Sequence, residues 1–318
     1  MRPQSATRQL RIVAAVSLLV LASCQTVSQR SPLEWMGVLP GDATMYISVA
    51  VPKSSELIHK TLKGGGPAYN DVITLSDMTK RLLLSVTISP DAPVQFAAVA
   101  LGGYPSVLIG WSLSGKKEWK QVSAPEGSYY AWNKANLQLS IPNGKVLLAT
   151  NGQMPTLLAR YKMPVPLPIP PQVVSDMEQT DVVLYLPHLP GGIGEASADQ
   201  PTAQDSGVRP HFSVRDVWVD AVKTSDGYTL GSTWNTETDQ QARALAFVLK
   251  LGIVAWMKSS NLSNAGERLK AITVSPEGAS VRVEGVRVRD DEVMPLVLTL
   301  LSGAPAAETK PSAADQGN

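Results

Sequence analysis

The sequence predicts an α+β protein, built as two similar domains of antiparallel β-hairpins packed with a few helices. Three observations predict it. Short apolar runs alternate with turn signals such as Asp226-Gly227, a pair that favours tight antiparallel hairpins. The long helical pattern Ala242–Met257 is set apart from these runs instead of alternating with single strands, which speaks against a parallel sheet. The run Met163–Pro171 carries five prolines in nine residues and splits the chain into two nearly equal parts.

Taken in order, the first element is a leader. Arg2, Arg8 and Arg11 precede the apolar run Ile12–Ala22, too short for the ~20 residues a membrane-spanning helix needs. A charged n-region and a short apolar core are the parts of a signal peptide, residues 1–23. Directly after it stands Leu21-Ala22-Ser23-Cys24, and here the chain resembles a bacterial lipoprotein, whose lipobox has this pattern. The residue types suit the chemistry. Small side chains at Ala22 and Ser23 fit a narrow peptidase site. The Cys24 thiolate is the nucleophile that takes the diacylglyceryl group. Cys24 is also the only cysteine, so no intramolecular disulfide is available. The resemblance implies cleavage before Cys24, a further fatty acyl (palmitate-type) chain on its freed amino group, and stable anchoring, since two chains hold where one does not. Residues 24–33 read as a lipidated polar tether. In the enterobacterial sorting scheme Asp after the cysteine retains a lipoprotein at the inner membrane. Gln25 therefore favours the outer membrane, with the body facing the periplasm.

Residues 34–162 form the first expected α+β repeat. Strands are expected at Val94–Leu101 and Ser106–Leu113, joined through Gly102-Gly103-Tyr104-Pro105, then at Tyr129–Lys134, Leu137–Ile141 and Lys145–Thr150. Residues 163–171 are the linker and 172–302 the second repeat. There 182–186, 214–223 and 228–235 read as strands. Thr238 to Gln241 reads as a capping box ahead of the helix. That helix is apolar on two sides, Leu245, Val248, Leu249 and Trp256 on one and Ala244, Phe247, Leu251 and Val254 on another. Burial between a sheet and another element is expected from this. The last hairpin turns at Pro276-Glu277-Gly278, and the alternation Val281, Val283, then Val286, Val288 slips at Gly285, predicting a bulge. Residues 303–318, and a loop over 190–210, lack apolar anchors and should be disordered.

The halves look like copies. Val94–Val99 aligns without gaps on Val217–Val222, an offset that carries Trp111 onto Trp234. Met45-Tyr46-Ile47 resembles Leu184-Tyr185-Leu186, Pro142–Gly144 resembles Pro276–Gly278, and Met154–Leu158 resembles Met294–Leu298.

The net charge is +1; removing the three leader arginines leaves −2, which speaks against a phosphate-steered nucleic-acid binder. His59, His188 and His211 lack ligand spacing, so no metal and no cofactor is expected. Gly64–Gly66 and Gly191–Gly194 lack the Lys-Ser/Thr of a phosphate loop. Ser114–Lys117 fits SxxK, Ser259-Ser260-Asn261 fits SxN and Lys223-Thr224-Ser225 is near KTG, elements of penicillin-recognising enzymes. Their order departs from that pattern, which places SxN before KTG. Trp111, Trp119 and Trp132, with Lys116, Lys117 and Lys120 interleaved, are candidate binding residues for a glycan or an anionic partner. In the second half Lys116, Lys117 and Lys120 align with Asp239, Gln240 and Arg243, so this cluster is not repeated.

The expectation is a membrane-anchored envelope lipoprotein acting as a non-catalytic binding or scaffold module on an envelope protein or glycan. The alternatives are a cell-wall-active enzyme and a carrier of lipid or a small ligand. Replacing the acceptor sulfur should release the body: Cys24→Ser is expected to take up no labelled palmitate and to leave the membrane fraction. Membrane sedimentation equal to that of the native protein, with no label in either, would show the lipobox to be inert.

Overall fold

The computed structural model describes residues 30–62, 69–89, 91–132, 134, 136–188, 213–259, 265–290 and 292. The leader, the lipobox with Cys24, the 190–210 stretch, His211, the Met294–Leu298 marker and the tail lie outside the described residues. The element order is α1 (Pro32–Met36), β1 (Met45–Ala50), α2 (Val51–Leu62), α3 (Tyr69–Asp77), β2 (Thr79–Ser89), β3 (Ala92–Gly102), α4 (Ser106–Ser114), β4 (Trp119–Ala124), β5 (Gly127–Trp132), β6 (Leu137–Asn143), β7 (Val146–Thr150) and α5 (Met154–Lys162). After the Pro-rich stretch come α6 (Pro171–Gln179), β8 (Val182–Leu186), β9 (Val214–Lys223), β10 (Tyr228–Thr236), α7 (Asp239–Ser259), α8 (Ala265–Ala271), β11 (Thr273–Glu277) and β12 (Ser280–Val288).

The class is α+β, as expected. All strands join one twelve-stranded antiparallel sheet in the order β11-β12-β10-β9-β8-β1-β2-β3-β7-β6-β5-β4. The halves meet at its centre, where β1 pairs with β8 and Tyr46 lies opposite Tyr185. Outward from that seam the two sides run alike, β1-β2-β3-β7-β6 against β8-β9-β10-β12-β11, and the β4–β5 hairpin extends the first side only. By position β2 corresponds to β9, whereas the gapless offset superposes β3 on β9. It also sets Trp111, which is in α4, on Trp234, which is in β10. The markers at Tyr46/Tyr185 and at the two Pro-x-Gly turns do fall on equivalent strands.

Side chains alternate across each strand, so the sheet has two distinct faces. One carries Leu83, Val99, Leu148, Val183, Tyr185 and Trp218 beneath α1, α5 and α6. The Pro-rich stretch belongs to this layer: Leu167 and Ile169 are buried in it, so residues 163–171 are packed, not a free hinge. The opposite face carries Ala100, Leu139 and Leu147 beneath α4, and Val274, Val281 and Val283 beneath α7. Residues Val146, Leu147 and Leu148 are all buried because β7 is covered on both sides.

Two local expectations change. Ser106–Leu113 is the helix α4, not a strand. A short apolar run carries no decisive period, and Pro105, fixed in φ, sits at its N-cap. The hairpin partner of β3 is β2, with Leu83 opposite Val99, a strand not assigned from the sequence. In contrast, the bulge at Gly285 is present. Its φ is +79°, the β10–β12 register shifts between Leu230 and Ser232, and a Cβ there would meet the Ala271 carbonyl at 2.2 Å.

Gly285→Ala is therefore expected to lower the melting temperature, with about 1–3 kcal/mol from backbone conformation alone. Gly252 lies in α7 with nothing within 4 Å of an added Cβ. Gly252→Ala should stabilise by about 0.4–1 kcal/mol in the same thermal scan.

Candidate functional site

The tryptophans singled out in the sequence are divided by the fold. Trp119 and Trp132 face each other across the β4–β5 pair, with ring centroids 5.7 Å apart. Trp119 packs half-buried with Tyr130, Leu137 and, from α4, Ile109 and Leu113, and Trp132 is half-buried against Trp119. Trp111 lies on the other side of α4, 74% exposed. Lys116 is half-buried and Lys117 exposed in the turn between α4 and β4, and Lys120 is exposed on β4. Tryptophans and lysines are thus neighbours in the chain but do not form one platform.

What the geometry does bring together is an apolar outer surface. On α4, Val107 is 64% and Leu108 61% exposed beside Trp111, while Ile109 and Leu113 face the sheet. The helix is apolar on both sides. A helix with one side on a core and an apolar outer side needs a second apolar environment. The same holds for α7, where Phe247 is 64% and Leu251 55% exposed while Leu245 packs on β11 and β12. On the second side of α7, expected to be buried, Phe247 and Leu251 are therefore exposed, while Ala244 packs on the core and Val254 is half-buried. Both helices lie on the same face of the sheet. The signal for α7 was readable in the sequence; for α4 it was hidden by the strand assignment.

The start of α4 is linked through a series of contacts to the point where the chain enters the body. Arg30 donates from Nη1 to the Tyr161 carbonyl at 2.9 Å, and its guanidinium lies 4.9 Å and 5.2 Å from the ring centres of Trp35 and Tyr161. Asn143 Nδ2 donates to the Tyr161 hydroxyl at 2.6 Å, and the Tyr104 amide donates to the Gly144 carbonyl at 2.7 Å. A continuous set of contacts thus leads from the tether through the β6–β7 turn to the start of α4. The last residues of the expected tether are consequently structured. Ser31 and Glu34 cap α1 reciprocally, a capping box present in the sequence but not read there.

Of the penicillin-recognising pattern, Ser260 and Asn261 lie outside the described residues, and the other two motifs do not meet. Ser114 ends α4 over the β4 side of the sheet, and Lys223 lies in β9, bonded to Asp290 at 2.6 Å. Of the histidines, His59 Nε2 lies 3.4 Å from an Asp77 oxygen and His188 is exposed. Among the described residues no three His, Cys, Asp or Glu side chains gather as metal ligands.

The face of β9 and β10 opposite α7 is polar. Asp216 accepts from Asn235 at 2.8 Å, and Asp220 stands across from Gly231, where a Cβ would meet its carboxylate at 2.6 Å. Burial pushes the Asp220 carboxyl up, and nearby Asp176 adds to this, against a smaller opposing effect of Arg282. The folded protein therefore holds this proton more tightly than the unfolded chain does. The associated stability is full below the unfolded carboxylate range, near pH ~3.9, and is lost as pH rises through the raised folded value. Asp220→Asn should raise the melting temperature at pH 7 and make no difference near pH 4; equal gains at both would assign the effect to packing.

Comparison with known proteins agrees with this fold. Residues 30–186 match the sequence model of a family described as outer membrane-associated lipoprotein TP0453. Crystal form IV of TP0453 superposes with a TM-score of 0.58 at 16% identity, covering 82% of this chain and 95% of that one. Crystal forms III and I give the same TM-score at 14% identity, covering 85% and 86% of this chain and 98% of theirs. At such identity the likeness shows a shared fold. No curated protein matches the sequence. The family match accords with the lipobox and with an envelope protein at the outer membrane.

Proposed function

We infer that this envelope lipoprotein is a non-catalytic module that lays the outer side of α4 on the bilayer holding its anchor. The observation that supports the reading is the exposed trio Val107, Leu108 and Trp111, on a helix whose start is linked to the tether entry by way of the β6–β7 turn. Cys24 and Arg30 are six residue steps apart, a reach of about 20 Å at ~3.3–3.6 Å per residue. An anchored cysteine therefore keeps this end of the sheet close to the headgroups. Burying such side chains is worth about 1.5–3 kcal/mol each for Val- and Leu-sized groups. Tethering makes the second contact intramolecular, so weak intrinsic affinity suffices. Trp111 suits the role because an indole is stable at the interface between headgroups and hydrocarbon.

The test uses the unlipidated mature chain carrying Cys24→Ser, so that only the body can bind. It is expected to float with phospholipid vesicles, and Leu108→Glu with Trp111→Glu should weaken this at least about tenfold, the worth of ~1.4 kcal/mol. Both residues are exposed, so the melting temperature should hold. Failure of the parent to float, or flotation unchanged in the double variant, would overturn the reading.

A further inference from the structure

On the face of the sheet away from α4, a half-open cleft of about 450 Å³ lies between the sheet and α5. Its floor is Ser85, Thr87, Gln95 and Thr150, and one wall is Gln153, Thr156 and Arg160 on or beside α5. The loop Pro40-Gly41-Asp42 closes the other side. This volume is within the ~300–1,000 Å³ of small-molecule sites.

The lining selects a chemistry. Asp42 and Arg160 carry opposite charges, so the cleft as a whole favours neither an anion nor a cation. The remaining polar groups are hydroxyls and amides. Some are already engaged: Ser85 donates to the Ala97 carbonyl at 3.3 Å and Thr150 to the Phe96 carbonyl at 2.6 Å. Thr156 donates to Gln153 Oε1 at 3.5 Å, which leaves the Gln153 NH₂ group to donate elsewhere. Among the described residues, the side chains of Asp42, Thr87 and Gln95 have no hydrogen-bond partner, so their donors and acceptors face the opening. Arg160 is held in place by donating Nη1 to the Leu39 carbonyl, and Gly41, lacking a side chain, leaves its Nη2 uncovered. Pro40, Ala97 and Leu157 add apolar surface between these groups.

We propose that this cleft binds a neutral sugar unit. Planar amides and a carboxylate can each take a pair of neighbouring ring hydroxyls, while the apolar surface takes the C–H side of the ring. A charged ligand would leave one member of the Asp42–Arg160 pair opposed, at a cost in desolvation. The site is on the other face from α4, so the proposal goes beyond the membrane contact and does not depend on it.

Saturation-transfer NMR on the unlipidated mature chain tests it, with maltose, cellobiose and N,N′-diacetylchitobiose as probes. At least one is expected to receive saturation with a Kd of about 1 mM or tighter. Gln95→Ala with Gln153→Ala should weaken that binding at least about tenfold at an unchanged melting temperature. A second arm identifies the source: co-sedimentation with insoluble cell-wall glycan, or flotation with vesicles carrying a neutral glycolipid, read in the Leu108→Glu/Trp111→Glu background. Binding to either supports the site. No saturation of any probe, equal binding by the amide variant, or preference for a phosphorylated sugar over its neutral parent would overturn it.

Discussion

The pairing of β1 with β8 is the constraint on which the architecture depends. Without it each half would expose the bare edge of its first strand, a row of unpaired amides and carbonyls open to other chains. The register Tyr46–Tyr185, Ile47–Leu184, Ser48–Val183 and Val49–Val182 consumes both edges at once. It also sets the two tyrosine rings in stacking contact, 6.4 Å between centres. Burial pushes the Tyr185 hydroxyl up to about 12, so the ring stays uncharged in the seam. Tyr46 keeps its own hydroxyl satisfied by donating to the Pro40 carbonyl at 2.7 Å. The seam is thus aromatic and without an unpaired backbone edge, its buried Ser48 hydroxyl accepting from Arg81 Nη1 at 2.9 Å, and it commits both halves to one sheet.

Once the sheet is continuous, its two faces must be covered by the helices each half supplies, and the cover is unequal. On one face the short elements α1, α5 and α6 and the Pro-rich stretch form a layer whose apolar side chains point at the sheet. Met36, Met154 and Met177 are fully buried there. On the other face α4 and α7 are apolar inward and outward alike. This asymmetry supports assigning the membrane to one face and a water-soluble ligand to the other. The polar cleft lies under α5, where the helix has no apolar residues left over, and the exposed trio lies on α4, where it has.

Much of the fold was legible because strong local signals coincide with tertiary need. The Asp226-Gly227 turn, the phase slip at Gly285 and the Thr238 cap each report a backbone requirement that few residue types meet. Gln241 donates its amide to Thr238 Oγ1 as a capping box requires, although its side chain reaches Glu237 instead of Thr238. What was not legible followed from packing. Val107 and Ile109 are β-branched and the run is apolar, so its local preference is extended. It is helical because Ile109 and Leu113 meet the sheet at helical spacing. The whole membrane-facing candidate was hidden behind that one assignment. The sugar cleft had no sequence signature at all, since Asp42, Gln95 and Arg160 converge from three separate parts of the chain.

The way the tether joins the body decides how an anchor acts. A flexible linker would leave the body free to turn, and the second contact would be made only as often as chance orientation allowed. Here the guanidinium of Arg30 is held against Trp35 and Tyr161 and hydrogen-bonded to the Tyr161 carbonyl. Contacts of this kind are worth about 0.5–1 kcal/mol at exposed sites and more when desolvated. That suffices to bias a short tether without fixing it. The helix α1 follows at once, stapled by Ser31 and Glu34, so the chain is held to the body from Arg30 onward. Under the proposed membrane contact, holding the chain from Arg30 onward shortens the span between anchor and body, which raises the effective concentration of α4 at the bilayer, because the accessible volume shrinks with the third power of tether reach. An exposed apolar trio would be a liability on a freely diffusing protein; under the proposed bilayer contact the nearest apolar phase for it is the membrane that holds the anchor.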